Sequence, residues 1–483
     1  MPKSHIYWIL VTFLVSLFSA WCADPYAGTF RYVVRKVRSR AIRPLSEREL
    51  FDAGVAGLLA SVDENSSYIP PKRYEKLNQE FTQEIGSVGV LFYQTAAPGK
   101  TWVGSTLPRS AARLGGVLPG DEIIAIDGFS LKNASFEEVS AKLQAPVGTE
   151  VSLELFRPSA QKKLTVMLVS QRQTVPSVTG FARQNDGTWS FRLPQIPGST
   201  DLNNKKILYV HIENFGEKTD WEMRQILRQG VAENADGLIL DLSGNGGGLL
   251  DAAVEVCGMF LPEPTKGNLF PCVWVAGPEK KVSDWFHPWY SLIGVEKKGI
   301  VSPEKRIWTK PVAVLIDRNT ASAAEILAAC LQDYGENGLI QTVCVGERTY
   351  GKGTIQEIFD LGPIPDDRRL ENESDPRTLW QKIWQKPNRG GFRISTSMYL
   401  SPNGRLIHRF PNAKKTDEWG VFPNPGWEVS PQASPRWQAN RKQFEKDRQE
   451  FDRLRDSGAL PREQWSDVYE FDPTLKRAVE FFK

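Results

Sequence analysis

The sequence is poor in the residues from which metal sites and histidine-dependent hydrolases are built. Its 483 residues include four histidines and five cysteines. No Cys-x-x-Cys pair or histidine spacing of a metal site occurs, so the sequence predicts no metal and no cofactor. A disulfide between two of the later cysteines and buried free thiols both stay open. These cysteines are Cys257, Cys272, Cys330 and Cys344.

A strong charge bias is also lacking. The chain has 60 basic and 57 acidic residues, a net charge of +3, and its basic residues are dispersed. No basic stripe with interleaved aromatic residues occurs, which argues against a nucleic-acid partner. The apolar content of 41% is typical of a globular protein. The length predicts two to four domains.

An apolar run at the N-terminus, from Ile6 to about Phe18 in "MPKSHIYWILVTFLVSLFSAWCADPY", is too short for a comfortable membrane span. It suits a secretory signal peptide, and the small residues Ala20 and Cys22 favour cleavage after Cys22. Residues 1–22 are thus a predicted signal peptide, and we expect an exported protein of the bacterial periplasm or cell envelope. Membrane association would come only through an uncleaved or lipidated N-terminus. The oligomeric state stays open.

Four further segments differ in pattern. Residues 23–85 read as helical, and Ser46 followed by Glu49 forms a capping-box pattern. Residues 86–172 contain short β-like runs and two helical pieces, which predicts a small β-barrel-like domain. Residues 173–204 are rich in turn-forming residues and predict a linker with an added hairpin. Residues 431–483 predict a C-terminal helical tail.

Residues 205–430 alternate between strand and helix patterns. The apolar runs "ADGLILDL" and "PVAVLIDRN" are typical of buried parallel strands. The segment "GFRISTSMYLSPNGRLIH" predicts a hairpin. Together these patterns predict a multidomain α/β protein whose core holds a parallel sheet, with ligand chemistry at the C-terminal ends of the strands.

Three features fall at those predicted strand ends. Ser322 follows a buried strand and begins a helix, where it would serve as a nucleophile or simply as an N-cap. Lys352 lies in a Gly-Lys-Gly turn, where it would act as a base or remain a surface lysine. The glycines Gly246 to Gly248 would present backbone N–H groups to an oxyanion or only form a tight loop.

The stretch "GERTYGKGTIQ" also resembles a phosphate-binding loop. Such a loop needs Ser or Thr directly after its lysine and then a helix. Here Gly353 follows Lys352, and the β-branched Thr354 and Ile355 favour a strand. A nucleotide-binding protein is therefore the weaker alternative for this segment.

A catalytic serine usually has a histidine partner. His211, His287 and His408 are the candidates outside the signal segment, and none has a distinctive sequence setting. A serine–lysine dyad needs none of them.

Taken in order, these segments resemble the carboxyl-terminal processing (tail-specific) serine proteases. "SVGVLFY" with "SAARLGGVLPGDEIIAIDG" is similar to the family's PDZ domain. "DLSGNGGGLL", "NTASAAEILAACLQDYG" and "VGERTYGKGTIQ" are similar to its glycine loop, nucleophile helix and lysine segment. The chain departs from the family pattern at Ser243, where arginine is usual, and in a longer segment from Ser322 to Lys352, whose additional residues fall around "GENGLIQTV".

The resemblance implies a serine endopeptidase. It implies Ser322 as nucleophile, Lys352 as general base and Gln356 as the residue that orients Lys352. It makes the amides of Gly247 and Ala323 oxyanion-hole candidates. Unstructured C-terminal tails of protein substrates would bind a PDZ loop, which comprises Ser87, Val88, Gly89 and Val90. A secreted scaffold that binds tails without cleaving them is the rival interpretation.

Overall fold

The computed structural model describes residues 25–43, 45–94, 100–107, 109–183, 188–193, 205–263, 270–276, 297–302, 305–363, 389–414, 416–429 and 473–483. The predicted signal peptide and residues 431–472 of the predicted helical tail lie outside these residues. The chain divides into two compact units. The first comprises Met1–Glu75 and Gln356–Ser395, and the second comprises Lys76–Ile355 and Thr396–Lys483. No helix in the described ranges is both long and apolar enough to cross a membrane.

The first unit contains helices and a short strand pairing. Its helices are α1 (Pro25–Arg40) and α2 (Glu47–Ala60), and α3 (Pro71–Thr82) begins within it. Strand β1 (Ser67–Ile69) pairs antiparallel with residues 391–393. The predicted capping box is confirmed, because Ser46 Oγ accepts from the Glu49 amide and the Glu49 carboxylate accepts from the Ser46 amide at 2.9 Å.

Within the second unit, the segment from Glu84 to Thr174 forms a small β domain. Its main sheet has the order β3-β4-β5-β7-β8, with β6 beside β5, and β2 pairs separately with β9. Two helices, α4 (Ala111–Leu114) and α5 (Phe136–Leu143), cover a core that includes Val88, Val103 and Leu153. The strands are β2 (Glu84–Ser87), β3 (Val90–Gln94), β4 (Thr101–Thr106), β5 (Glu122–Ile126), β6 (Phe129–Ser130), β7 (Glu150–Arg157), β8 (Lys162–Val169) and β9 (Gln171–Thr174).

The rest of the second unit is built on a five-stranded sheet of order β10-β13-β14-β17-β18. The last four strands are parallel, and β10 is antiparallel to β13. The strands are β10 (Val178–Gly180), β13 (Ile207–Ile212), β14 (Gly237–Asp241), β17 (Val312–Ile316) and β18 (Thr342–Gly346). Strand β10 and the hairpin of β11 (Ala182–Arg183) and β12 (Trp189–Ser190) occupy the segment that the sequence suggested as a linker.

Helices cover both faces of this sheet. One apolar core includes residues of α6 (Thr219–Ala232), α7 (Leu250–Gly258) and α8 (Ala323–Glu336). A second core packs the C-terminal helix α9 (Pro473–Val479) against alternate side chains of the strands. The remaining strands are β15 (Val273–Ala276), β16 (Lys297–Ile300), β19 (Thr354–Pro363) and β20 (Arg389–Leu400).

The parallel strands bring three connecting loops to one edge. Strand β14 ends at Asp241 before the glycine loop, β17 ends at Ile316 before Ser322, and β18 ends at Gly346 before Lys352. Because parallel strands present their C-terminal ends on the same side, the three predicted chemical segments start from neighbouring points.

Candidate active site

Ser322 lies directly before α8 in a backbone conformation that is rare for serine. Its φ is +58° and its ψ is −121°, close to the second residue of a type II′ turn, where glycine is preferred. An ordinary N-cap is extended, as Ser46 is with φ −68° and ψ 160°. Holding serine in this region costs about 1–3 kcal/mol, so the surrounding contacts must fix it.

Polar side chains in the β17–α8 connection provide those contacts. Asp317 Oδ1 accepts from the amides of Thr320 and of Gly244 in the glycine loop, at 3.0 and 2.9 Å. The Ala321 amide donates to the Asn245 carbonyl at 2.9 Å. The turn that carries Ser322 is therefore bonded directly to the glycine loop.

The carboxylate of Glu325 joins the serine turn to the lysine turn. Its Oε2 accepts from the amides of Ser322 and Lys352, each at 2.8 Å. Its Oε1 accepts from the Gly351 amide at 2.7 Å and from Thr349 Oγ1 at 2.5 Å. Sharing one oxygen keeps the Ser322 and Lys352 nitrogens at most about 5.6 Å apart, twice the bond length.

Glu325 is fully buried, and burial raises its pKa to about 7. The four hydrogen bonds act in the opposite direction, because each is donated to the carboxylate. A protonated carboxyl group would turn one acceptor position into a donor facing other donors. The hydrogen bonds thus favour the ionised form of Glu325, whereas burial favours the protonated form and is the larger effect.

Tyr399 on β20 makes a second link between the same two residues. Its hydroxyl is 2.6 Å from the Lys352 carbonyl oxygen and 3.1 Å from the Ser322 carbonyl oxygen. Burial raises the pKa of Tyr399 well above 10, with the Glu325 charge as a further cause. The phenol therefore stays protonated and can donate to either carbonyl.

The glycine loop lies against Ser322. Gly247 has a φ of +103°, and a Cβ there would come within 2.7 Å of Ser322 Cβ and 2.9 Å of the Ala321 carbonyl oxygen. Only glycine fits this position. The Gly247 amide donates to Asn245 Oδ1 at 2.8 Å, whereas no described residue accepts from the Ala323 amide at the start of α8.

Lys352 lies in the tight turn that its flanking glycines predicted. Gly351 has a φ of +87°, and a Cβ on Gly353 would come within 2.4 Å of the His408 amide nitrogen. Strand β19 begins at Thr354, so the predicted strand after the lysine is confirmed. A phosphate-binding loop would require a helix there.

Gln356 belongs to the first unit. Its Nε2 donates to the Asn65 carbonyl oxygen at 2.6 Å. Asn65 lies in a turn closed by Asp63, whose Oδ1 accepts from the Asn65 and Ser66 amides at 2.6 and 2.7 Å. The predicted role of Gln356 in orienting Lys352 stays a prediction.

The predicted tail-binding loop is buried in the small β domain. The Gly89 amide donates to Ser87 Oγ at 3.0 Å, and the Val88 amide donates to the Leu143 carbonyl at 3.4 Å. Val90 begins β3, and within the described residues only β4 pairs with that strand. The other edge of β3 therefore carries no strand from the part of the chain that the structure describes.

Two of the three candidate histidines lie within the described residues. His211 Nδ1 is 3.1 Å from the Asp241 carbonyl oxygen. His408 is buried and packs edge-on against the Phe410 ring, with 4.8 Å between the ring centroids. His287 lies outside the described residues.

Glu325, Thr349, Tyr399 and Asn245 are site residues that the sequence interpretation did not single out. The Ser322–Glu325 spacing has the capping-box form, which could have pointed to Glu325. Tyr399 lies 77 residues from Ser322 in the chain, and no local pattern connects the two.

Comparison with known proteins identifies two domain families. The model of peptidase family S41 matches residues 206–412, and a PDZ-domain model matches residues 102–157. A carboxyl-terminal-processing protease of Synechocystis is 30% identical over 320 residues, which cover 66% of this chain and 65% of that protein. A chloroplastic C-terminal processing peptidase of Tetradesmus obliquus is 31% identical, over 66% of this chain and 62% of that protein.

The carboxy-terminal processing protease CtpA of Bacillus subtilis is 27% identical over 70% of this chain and 62% of its own length. The chain thus spans a little under two thirds of these relatives. The segment matched by the S41 model, residues 206–412, includes the glycine loop, the serine turn and the lysine turn described above. Residues 206–412 therefore match peptidase family S41 and residues 102–157 match a PDZ domain, in a chain that is similar to carboxyl-terminal-processing proteases.

Proposed function

We propose that this protein is an exported serine endopeptidase of the carboxyl-terminal processing type, with Ser322 as nucleophile, Lys352 as general base and Gln356 as the residue that orients the lysine. The observation that carries the proposal is the double link between the serine and lysine turns. Glu325 binds both main-chain amides, and Tyr399 lies within hydrogen-bonding distance of both carbonyls.

The chemistry follows from these roles. A neutral Lys352 amine takes the proton of Ser322 Oγ while that oxygen attacks a peptide carbonyl. The amide of Ala323, first in α8, stabilises the oxyanion together with the glycine loop. The amine product leaves with a proton from Lys352, and Lys352 then activates a water molecule that hydrolyses the acyl-enzyme.

Of the two predicted oxyanion donors, Ala323 has the stronger support. The Gly247 amide already donates to Asn245 Oδ1, so its use would require that bond to break. The strained backbone of Ser322 favours catalysis as well, because it presents a side chain at the start of a helix, where the dipole stabilises developing negative charge.

Substrate selection would begin at the PDZ domain. An extended C-terminal tail would add to the unpaired edge of β3, the usual manner in which a PDZ domain binds peptides. The tail carboxylate would take over the amides of Val88 and Gly89 from Leu143 and Ser87. The ring of Phe92 on β3 stacks on Phe136 of α5, with centroids 4.6 Å apart, and lies where a bound tail would pass.

The cellular location rests on the sequence of residues 1–22. Cleavage after Cys22 would release the protein into the periplasm or cell envelope of a bacterium. Periplasmic fractionation, with N-terminal sequencing of the recovered protein, tests this part separately.

The central experiment is a cleavage assay. The purified protein, Ser322→Ala and Lys352→Ala are incubated with an unfolded protein that bears an apolar C-terminal tail, and fragments are followed over time. Ser159→Ala, at an exposed serine of the PDZ domain, is the matched control. We expect fragments from the parent and the control only.

Two outcomes would overturn the proposal. Cleavage by Ser322→Ala at the parent rate would remove Ser322 from the nucleophile role. No cleavage by any sample, with tail binding retained, would favour a scaffold that binds tails.

A further inference from the structure

Three cysteines that are far apart in sequence meet inside the second unit. Cys257, Cys272 and Cys330 place their sulfur atoms within 4.8 Å of one another. None of the three is more than 1% exposed. They come from α7, from the residue directly before β15 and from α8. This distribution explains why no metal-ligand spacing is visible in the sequence.

The surroundings of the three thiols are apolar, which is unusual for a cluster of cysteines. All three cysteines belong to the apolar core beneath α7 and α8. No described histidine, aspartate or glutamate joins the group. The Cys272 thiol donates to the Val254 carbonyl at 3.7 Å. A cluster of three soft ligands without a hard one selects thiophilic ions over Mg²⁺ or Ca²⁺.

We propose that Cys257, Cys272 and Cys330 form a binding site for one thiophilic divalent cation of the Zn²⁺ class. Sulfur atoms in a tetrahedral Zn²⁺ site lie about 3.8 Å apart, given Zn–S bonds of about 2.3 Å. A contraction of less than about 1 Å from the present spacing would therefore reach that geometry.

A divalent ion suits this site better than a monovalent one. Three thiolates leave one net negative charge with Zn²⁺ but two with Cu⁺, and the apolar surroundings disfavour the larger charge. A cavity lined by Cys272, Phe270 and Ser302 has room for about one water molecule. That water would complete four-coordination.

The site would connect the two helices that begin at the catalytic loops. Cys257 lies seven residues after the first residue of α7, and Cys330 lies seven residues after the first residue of α8. Helix α7 follows the glycine loop, and α8 follows Ser322. A bound ion would therefore fix the spacing of these helices about two turns below the proposed oxyanion hole.

The test measures metal binding and stability, so its outcome does not depend on the proposed peptidase activity. All samples carry Cys22→Ser, are reduced and are freed of metal with a chelator. Zn²⁺ alone is then added, and its binding is measured by equilibrium dialysis with elemental analysis. The variants are Cys330→Ala within the cluster and Cys344→Ala as the control, since Cys344 is equally buried but lies outside it.

We expect one Zn²⁺ per chain and a raised Tm for the parent and for Cys344→Ala. Binding to Cys330→Ala should weaken at least 100-fold. If Cys330→Ala does not fold, Cd²⁺ added to the parent provides a second measurement, because three thiolates give an intense sulfur-to-cadmium charge-transfer absorption. Three results would each overturn the proposal. They are a lack of Zn²⁺ binding by the parent, equal binding by Cys330→Ala and Cys344→Ala, and a disulfide within the cluster of the freshly purified parent.

Discussion

Replacing Glu325 by glutamine tests whether the double link between Ser322 and Lys352 is needed for activity. Glutamine has nearly the same shape, but one of its two terminal groups is an amide that donates. The carbonyl can keep one pair of hydrogen bonds, either from Ser322 and Lys352 or from Gly351 and Thr349. The other pair then faces the amide. The N–H groups of Ser322 and Lys352, or that of Gly351, lose their acceptor, whereas the Thr349 hydroxyl can turn to accept from the amide.

The magnitude follows from the number of hydrogen bonds lost, which is one or two. A hydrogen bond to a charged group contributes about 1.5–3 kcal/mol, so the loss removes about 1.5–6 kcal/mol from the arrangement of the site. At about 1.4 kcal/mol per factor of ten, kcat/KM should fall about 10- to 10,000-fold. The Tm should fall less than this loss suggests, because glutamine also removes the cost of burying the Glu325 charge.

The assay is kcat/KM on the tail-bearing substrate, with Tm measured on the same samples. Glu336→Gln is the matched control, at an exposed glutamate of the same helix α8, and it should behave as the parent does. If Glu325→Gln keeps kcat/KM within threefold of the parent, the Glu325 link does not hold the catalytic geometry and the argument fails.

Two further pairs of substitutions and one pH dependence test the contacts around Ser322 and Lys352. Tyr399→Phe should lower kcat about 10- to 100-fold, because a buried carbonyl loses its donor at a cost of about 1–3 kcal/mol. The control Tyr334→Phe loses a hydrogen bond to a carbonyl outside the site and should lower Tm with kcat unchanged. Equal kcat in the two variants would contradict the role of Tyr399. Gly247→Ala should abolish cleavage, since its Cβ would meet Ser322, whereas a Cβ at Gly246 has open space and Gly246→Ala should stay active. If Gly247→Ala cleaves faster than Gly246→Ala, the close packing of Gly247 against Ser322 is refuted. Burial raises the pKa of Glu325 from 4.5 to about 7. The stability that the protonated form contributes is therefore fully present below about pH 4.5 and is lost as pH rises through about 7. The Tm of the parent relative to Glu325→Gln should fall over that interval, and a constant Tm difference would show that Glu325 does not cause the pH dependence.

The sequence allowed the edge of the sheet that carries the site to be predicted, because the patterns concerned are local. The apolar runs before Ser322 and before the glycine loop read as buried parallel strands, and β17 and β14 are such strands. Parallel strands require that their C-terminal loops meet at one edge. The β-branched residues after Lys352 likewise favoured a strand over a helix, in agreement with β19.

The parts that escaped prediction depend on contacts between distant segments. Tyr399 reaches Ser322 and Lys352 from β20, and its own strand gives no sign of that role. Strand β10 has only three residues, too few to show a period, so its segment read as a linker. The cysteine cluster combines residues from three elements, and sequence spacing carries no information about such an assembly.

The resemblance predicts a longer segment between Ser322 and Lys352, and the fold gives that segment a place away from the two turns. The predicted additional residues, around Glu336 to Gln341, run from the last residue of α8 to the residue before β18. That connection is at the N-terminal edge of the parallel sheet, and the serine and lysine turns are at the opposite edge. Pairing of residues 312–316 with residues 342–346 fixes where β18 ends, whatever the length of the connection before it. Glu325 and Tyr399 then act only on turns whose positions are already set by the sheet, so the distance along the chain between serine and lysine places no constraint on the site.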